Sequence, residues 1–152
     1  MSTVLEELDD PGLPAGQALT LAAMYDIAGG FVEVPDIDRL LPLPALPGSR
    51  RQVLLVATPT FEAWLVEWPA GSELPVHDHG GSLAVLRVRT GALTERRSGS
   101  AVEWRRLEPG ASTTLPAGTG HTVWNTGRAA AMSVHVYSPP LVGSAAAPRG
   151  AG

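Results

Sequence analysis

Residues 71–91, GSELPVHDHGGSLAVLRVRTG, and residues 110–125, GASTTLPAGTGHTVWN, decide how this chain is read. The first stretch sets Gly71, His77, His79, Ala84 and Gly91 at fixed offsets, and the second sets Gly110, Pro116, Gly118, His121 and Asn125. Three of the chain's four histidines fall inside them. An isolated His-x-His is commonplace; one framed by glycines, with a second framed histidine about forty residues on, is not. In a strand, side chains at i and i+2 share a face, so His77 and His79 can present two imidazoles together. His121 from a distant strand completes a trio if the sheet closes over it. Three neutral nitrogens hold a divalent first-row metal and leave about three positions open on a six-coordinate ion. Strand parity turns Asp78, between the two ligands, away from the metal. Cys is absent, which removes thiolate ligands, disulfides and cysteine nucleophiles from consideration.

Outward from these stretches, the chain breaks into short β-prone runs at 52–57, 60–68, 82–89, 101–107, 112–115, 121–125 and 132–138, with Gly or Pro in nearly every gap. Such spacing implies a mostly β sandwich or barrel, here spanning about 51–141. Run 60–68 alternates, with Phe61, Ala63, Leu65 and Glu67 on one face and Glu62, Trp64, Val66 and Trp68 on the other. Trp64, Trp68, Trp104 and Trp124 read as core or barrel-wall residues. Before the barrel, 16–28 (GQALTLAAMYDIA) has apolar residues at helical spacing, and Gly29-Gly30 reads as its stop. The segment 40–48, LLPLPALPG, carries three prolines that forbid a helix and make a semi-rigid connector. Residues 1–10 read as a frayed acidic terminus, and the tail 143–152 has little to bury and is expected to be disordered.

The 152 residues suit one domain with one core. Gly 17 and Pro 14 argue for many turns and short strands. The net charge of -4 and eleven scattered arginines, with no lysine, speak against a nucleic-acid partner. No apolar run approaches the roughly 20 residues of a membrane span, and the acidic MSTVLEELDD is unlike a secretory signal, so a cytoplasmic location is expected. Oligomeric state is left open.

The fourth histidine lies in SVHVYSPPL, residues 133–141. Ser133, His135 and Tyr137 share one strand face, with Val134 and Val136 on the other. A polar face turned into a closed barrel must pair its groups, and a Ser–His–Tyr hydrogen-bonded chain does so while aiming a phenol at the cavity.

The two histidine stretches resemble the paired motifs of the cupin superfamily, G-x5-H-x-H-x4-E-x6-G and G-x5-P-x-G-x2-H-x3-N, at every position but Ala84, where a glutamate ligand would stand. Together with S-x-H-x-Y-S-P-P, they resemble the cysteine dioxygenase family of thiol dioxygenases over about 51–141, and over H-D-H-G-G-S the shorter bacterial members most. The resemblance implies a cupin double-stranded β-helix (jelly-roll) barrel behind a short N-terminal helical segment. It implies Fe(II) held by His77, His79 and His121, a relay of Ser133, His135 and Tyr137, and a Ser138-Pro139 peptide that is cis. A small thiol and O2 are the implied substrates. L-cysteine is the leading thiol and its sulfinic acid the product. Another thiol such as 3-mercaptopropionate is the alternative, as is a metal-cupin isomerase or lyase. The family grips the substrate carboxylate with an arginine on an early strand. Ungapped counting places it at Arg51, with Arg50 pointing the opposite way. The sequence departs from the pattern in two places. Animal members carry a cysteine cross-linked to the relay tyrosine where Ala84 stands, and the family tyrosine two residues before the arginine is Ser49 here. With no acidic ligand, the full 2+ stays on the metal, which favours an anionic donor such as a thiolate.

Overall fold

The structure, a computed structural model, describes residues 18–98 and 103–141. The acidic terminus, the first residues of the expected helix and of the 101–107 strand, and the tail from Gly143 lie outside the described residues. Helix α1 spans Leu21–Val32 and a 3₁₀ turn spans Ile37–Leu40. Nine strands follow: β1 Arg51–Ala57, β2 Glu62–Trp68, β3 Glu73–His77, β4 Leu83–Thr90, β5 Leu93–Arg97, β6 Trp104–Leu107, β7 Ser112–Leu115, β8 His121–Trp124 and β9 Ala131–Ser138. They form two antiparallel sheets, a five-stranded one ordered β1-β2-β9-β4-β7 and a four-stranded one ordered β3-β8-β5-β6.

Alternation along β2 sends side chains to two different cores. Val66 and Trp68 meet Leu86, Val88, Leu93, Leu107 and Val123 between the sheets. Phe61, just before the strand, with Ala63 and Leu65, packs on the other side against α1. That outer face is apolar because α1 covers it with the stripe Met24, Ala28 and Val32, spaced four residues apart. Strand β9 uses the same division. Val134 and Val136 face the helix, Ser133, His135 and Tyr137 share the opposite face, and all eight of its residues are buried.

The helix corrects the expected 16–28 boundary. Thr20 caps its start, its hydroxyl accepting from Ala23 N at 3.2 Å, and the chain remains helical through Gly29 and Gly30. Two interior glycines cost about 0.5–1 kcal/mol each, whereas burying Val32 stabilises by about 1.5–3 kcal/mol. The helix ends where Arg89 donates to the carbonyls of Val32 and Val34. Two strands that the β-prone runs did not include, β3 and β5, complete the smaller sheet. Pro75 is tolerated in β3 because that strand lies at the sheet edge.

The motif glycine Gly91 is dictated by backbone proximity. It turns β4 into β5 with φ +69, and a Cβ there would lie 2.8 Å from the Ala130 carbonyl and from Ala131. Trp104 departs from the expected core or wall role. It is 48% exposed, stacked on Trp124 at 4.5 Å with Arg96 beside it at 5.3 Å. No helix among the described residues is long and apolar enough to cross a membrane.

Candidate metal centre

His77 closes β3 and stands directly across from His121 at the start of β8. His79 is not on the strand, contrary to the parity argument for the His-x-His pair. It follows in a turn where the Gly80 N–H donates to Asp78 Oδ1 at 2.8 Å and the Ser82 N–H donates to the His79 carbonyl at 3.1 Å. That turn swings the second imidazole inward and leaves Asp78 exposed, as expected of it. The three ring centroids lie 4.5–5.1 Å apart, and one nitrogen from each ring falls within 4.8 Å of the others. His79 and His121 are 4% and 2% exposed.

The hydrogen bonds fix the tautomers. His77 Nδ1 lies 2.8 Å from the Pro75 carbonyl, and His121 Nδ1 lies 3.0 Å from Glu95 Oε2. Both partners are acceptors, so each Nδ1 carries the proton, and in the neutral rings that could hold a metal each Nε2 carries a lone pair. Yet the two Nε2 atoms face each other at 3.1 Å. Two lone pairs at that distance repel unless a cation stands between them and the nearby His79. The Nδ1 of His79 is buried with no hydrogen-bond partner. The donor set therefore fits a divalent metal.

Burial keeps the His77 and His79 rings neutral. Burial lowers His77 to about 4, and burial together with the neighbouring rings lowers His79 to about 3. In the metal-free chain, the unfolded state binds more protons between these values and the ordinary 6.5, so stability should fall as pH drops through that window. The slope approaches about 1.4 kcal/mol per pH unit for each extra proton. A thermal melt of metal-stripped protein at pH 7.5 and at pH 5 checks this. The midpoint is expected to drop by about 2–4 °C per kcal/mol lost, and an unchanged midpoint would contradict the buried neutral cluster.

A second chain of hydrogen bonds runs along β9. Trp68 Nε1 donates to Ser133 Oγ at 2.8 Å, Ser133 Oγ meets His135 Nε2 at 2.8 Å, and His135 Nδ1 meets Tyr137 Oη at 3.1 Å. The indole can only donate, so Ser133 accepts from it and keeps one proton and one lone pair for His135 Nε2; in the arrangement that leaves the phenol proton free, Ser133 donates to that nitrogen. His135 Nδ1 must then carry the hydrogen and donate to the phenol oxygen. The phenolic proton is the one left to give. Burial pushes His135 far below its ordinary value and raises Tyr137, with the Glu62 charge adding to the latter, so neither group is ionised near neutral pH. The Tyr137 ring lies 5.0 Å from that of His79, so the relay ends beside the imidazole trio. Ala84 pairs with Tyr137 across β4 and β9 and packs on it, so a methyl occupies the ground beside the phenol. The Ser138–Pro139 peptide is cis, as expected.

Arg51 does not face the histidines, which corrects its expected place. It is register partner to Glu67, and its Nε and Nη2 bind the two Glu67 oxygens at 2.8 and 2.7 Å. Its neighbour takes the inward position, because Gln52 pairs with Val66 on the inter-sheet face and Arg50 shares that side. The Arg50 guanidinium lies 5.1 Å from the Trp68 ring centroid, and its charge is felt by His77, His135 and Tyr137. Ser49 bonds back to Leu46, with its hydroxyl donating to the Leu46 carbonyl at 2.7 Å.

Sequence reasoning passed over Glu95 and the part played by Trp68. Glu95 is fully buried; its Oε1 accepts from Thr113 Oγ1 at 2.9 Å and from Arg97 Nε at 3.3 Å. Burial alone would push its carboxyl up, but the His121 and Thr113 hydrogen bonds and the Arg97 charge outweigh that and hold it below the ordinary carboxylate value. The signal was there in Leu93, Glu95 and Arg97, alternate positions of one short strand.

Known structures repeat this two-sheet arrangement. The KdgF protein from a Halomonas species is 24% identical, covering 65% of this chain and 84% of its own, with a TM-score of 0.57. The cupin domain of Cnp3 from Schizosaccharomyces pombe is 21% identical over 59% and 64% of the two chains, with a TM-score of 0.54. The TT1209 protein from Thermus thermophilus is 26% identical over 71% and 98%, with a TM-score of 0.60. The fold is thus the cupin double-stranded β-helix. No curated protein sequence matches the chain. The family model described as cysteine dioxygenase type I matches residues 47–147, which contain all three clustered histidines and the whole β9 relay, and the chain belongs to that family.

Proposed function

We propose that the protein is a non-haem Fe(II) thiol dioxygenase that converts a small thiol, with L-cysteine the leading substrate, and O2 to the sulfinic acid. The observation that carries this reading is the pair of Nε2 lone pairs facing at 3.1 Å beside His79, next to a phenol at the end of an ordered relay. His77, His79 and His121 would hold the iron, and Ser133, His135 and Tyr137 would order the substrates. Bound iron would supply the redox-active, Lewis-acidic centre at which thiolate and dioxygen meet. Both oxygen atoms end on sulfur, and sulfur supplies all four electrons, so no external reductant is consumed.

The chain's own groups would divide the remaining work. Tyr137 donates its proton as a hydrogen bond to the thiolate or to dioxygen. His135 holds the phenol, and Ser133, itself fixed by Trp68, holds the tautomer of His135. Arg50, rather than Arg51, would take the substrate carboxylate through a charge-assisted fork.

Oxygen uptake and sulfinate formation with cysteine, 3-mercaptopropionate and cysteamine test this reading. Cysteine is expected to be the best of the three, and faster turnover of 3-mercaptopropionate would move the assignment to that acid. Arg50→Gln should lower kcat/KM for the two carboxylate-bearing thiols by about 10- to 150-fold, the scale of a hydrogen bond to a charged group. Cysteamine turnover should be spared, and Arg51→Gln should change little. An equal loss on all three thiols with Arg50→Gln would contradict a carboxylate role.

A further inference from the structure

The three imidazoles are not held alike. His79 Nδ1 has no hydrogen-bond partner, His77 Nδ1 gives its proton to the neutral Pro75 carbonyl, and His121 Nδ1 gives its proton to the carboxylate of Glu95. Glu95 is 0% exposed, on β5, and three donors from three strands converge on it: His121 from β8, Thr113 from β7 and Arg97 from β5 itself. Arg97 is fixed in turn, with Nη2 donating to Thr113 Oγ1 at 2.6 Å and to the Thr114 carbonyl. Taking a carboxylate wholly out of water costs several kcal/mol, and here its orientation is specified on every side. The position that supplies an acidic ligand in the paired cupin motifs is Ala84, 2% exposed and packed on Tyr137 and Leu115. The negative charge absent from the ligand set therefore stands one residue farther out, behind His121.

We propose that Glu95 is a positioning residue of the metal centre, fixing the His121 tautomer and lending its negative charge to the bound metal through that imidazole. The proposal rests on the metal reading given above. A carboxylate acceptor makes Nε2 of the opposite ring edge more basic, so His121 is the strongest donor of the three and tempers the charge that three neutral ligands would leave on the ion. His77, whose acceptor is a neutral carbonyl, and His79, with none, lack that push.

Titration of the metal-free chain with Co(II), followed by calorimetry and by the visible spectrum, tests this with Glu95→Gln. Glutamine retains the shape and an oxygen to accept from Nδ1 but removes the charge. The variant is expected to bind Co(II) about 10- to 100-fold more weakly, and its iron-loaded form should show a more positive midpoint potential. A change that only loosened packing would not move the potential in that direction. Equal affinity and equal potential in variant and parent would overturn the proposal while leaving the metal reading intact. A parent chain that takes up no Co(II) overturns both. Should Glu95→Gln fail to fold, the imidazole resonances of the zinc-loaded parent decide: a slowly exchanging, strongly deshielded Nδ1 proton on His121 supports the proposal, and an unprotonated Nδ1 overturns it.

Discussion

His79→Ala is expected to remove high-affinity metal binding and, with it, turnover. The substitution is clean, because His79 Nδ1 has no protein partner and its removal strands no buried donor or acceptor. His121→Ala would be less so, since it takes the Nδ1 donor from the buried Glu95 carboxylate, and a buried acceptor left without its partner costs about 1–3 kcal/mol. Structural metal sites with four ligands supply about 10–16 kcal/mol, so one ligand accounts for about 2.5–4 kcal/mol and its loss should weaken binding by about 60- to 900-fold. Anaerobic titration with Fe(II) reads the loss directly. Retained affinity would mean that the metal, if any, sits elsewhere.

Tyr137→Phe should behave in the opposite way, keeping the metal and losing the reaction. The phenol is 1% exposed and ends a relay that runs from Trp68 through Ser133 and His135. Without its oxygen, nothing donates to the thiolate or to dioxygen from that side. Turnover per bound iron is expected to fall about 10- to 100-fold, the usual scale for groups that orient a metal's ligands from outside. The His135 Nδ1 proton also loses its acceptor, which should cost about 1–3 kcal/mol of stability. Rates normalised to iron content separate the two effects, and unchanged turnover per iron would remove the relay from the mechanism.

Much of this was legible in the sequence, and the remainder was hidden for identifiable physical reasons. The two framed histidine stretches mark three of the site's residues by their spacing, and strand parity puts Ser133, His135 and Tyr137 on one face of β9. Register does not follow from parity. Nothing in residues 49–52 says which arginine opposes Glu67, and only the β1–β2 pairing turns Arg51 outward and Arg50 inward. The helix end was misplaced because Gly29-Gly30 has the composition of a stop, while burial of Val32 on the sheet outweighs two glycines. His79 reached its place by a turn rather than by continuing the strand. Glu95 escaped notice because a lone glutamate between Thr94 and Arg96 reads as a solvated residue until the fold buries it against His121. Trp104, read as core or wall, lies on an outer face that the apolar pattern does not distinguish from an inner one.

The central claim is that three neutral imidazoles converge on a single metal ion. X-ray absorption at the iron edge, on protein loaded anaerobically with Fe(II), tests it most directly. One iron per chain, with scattering from three imidazole rings, is the predicted result; substoichiometric iron or a spectrum lacking imidazole scattering would contradict it.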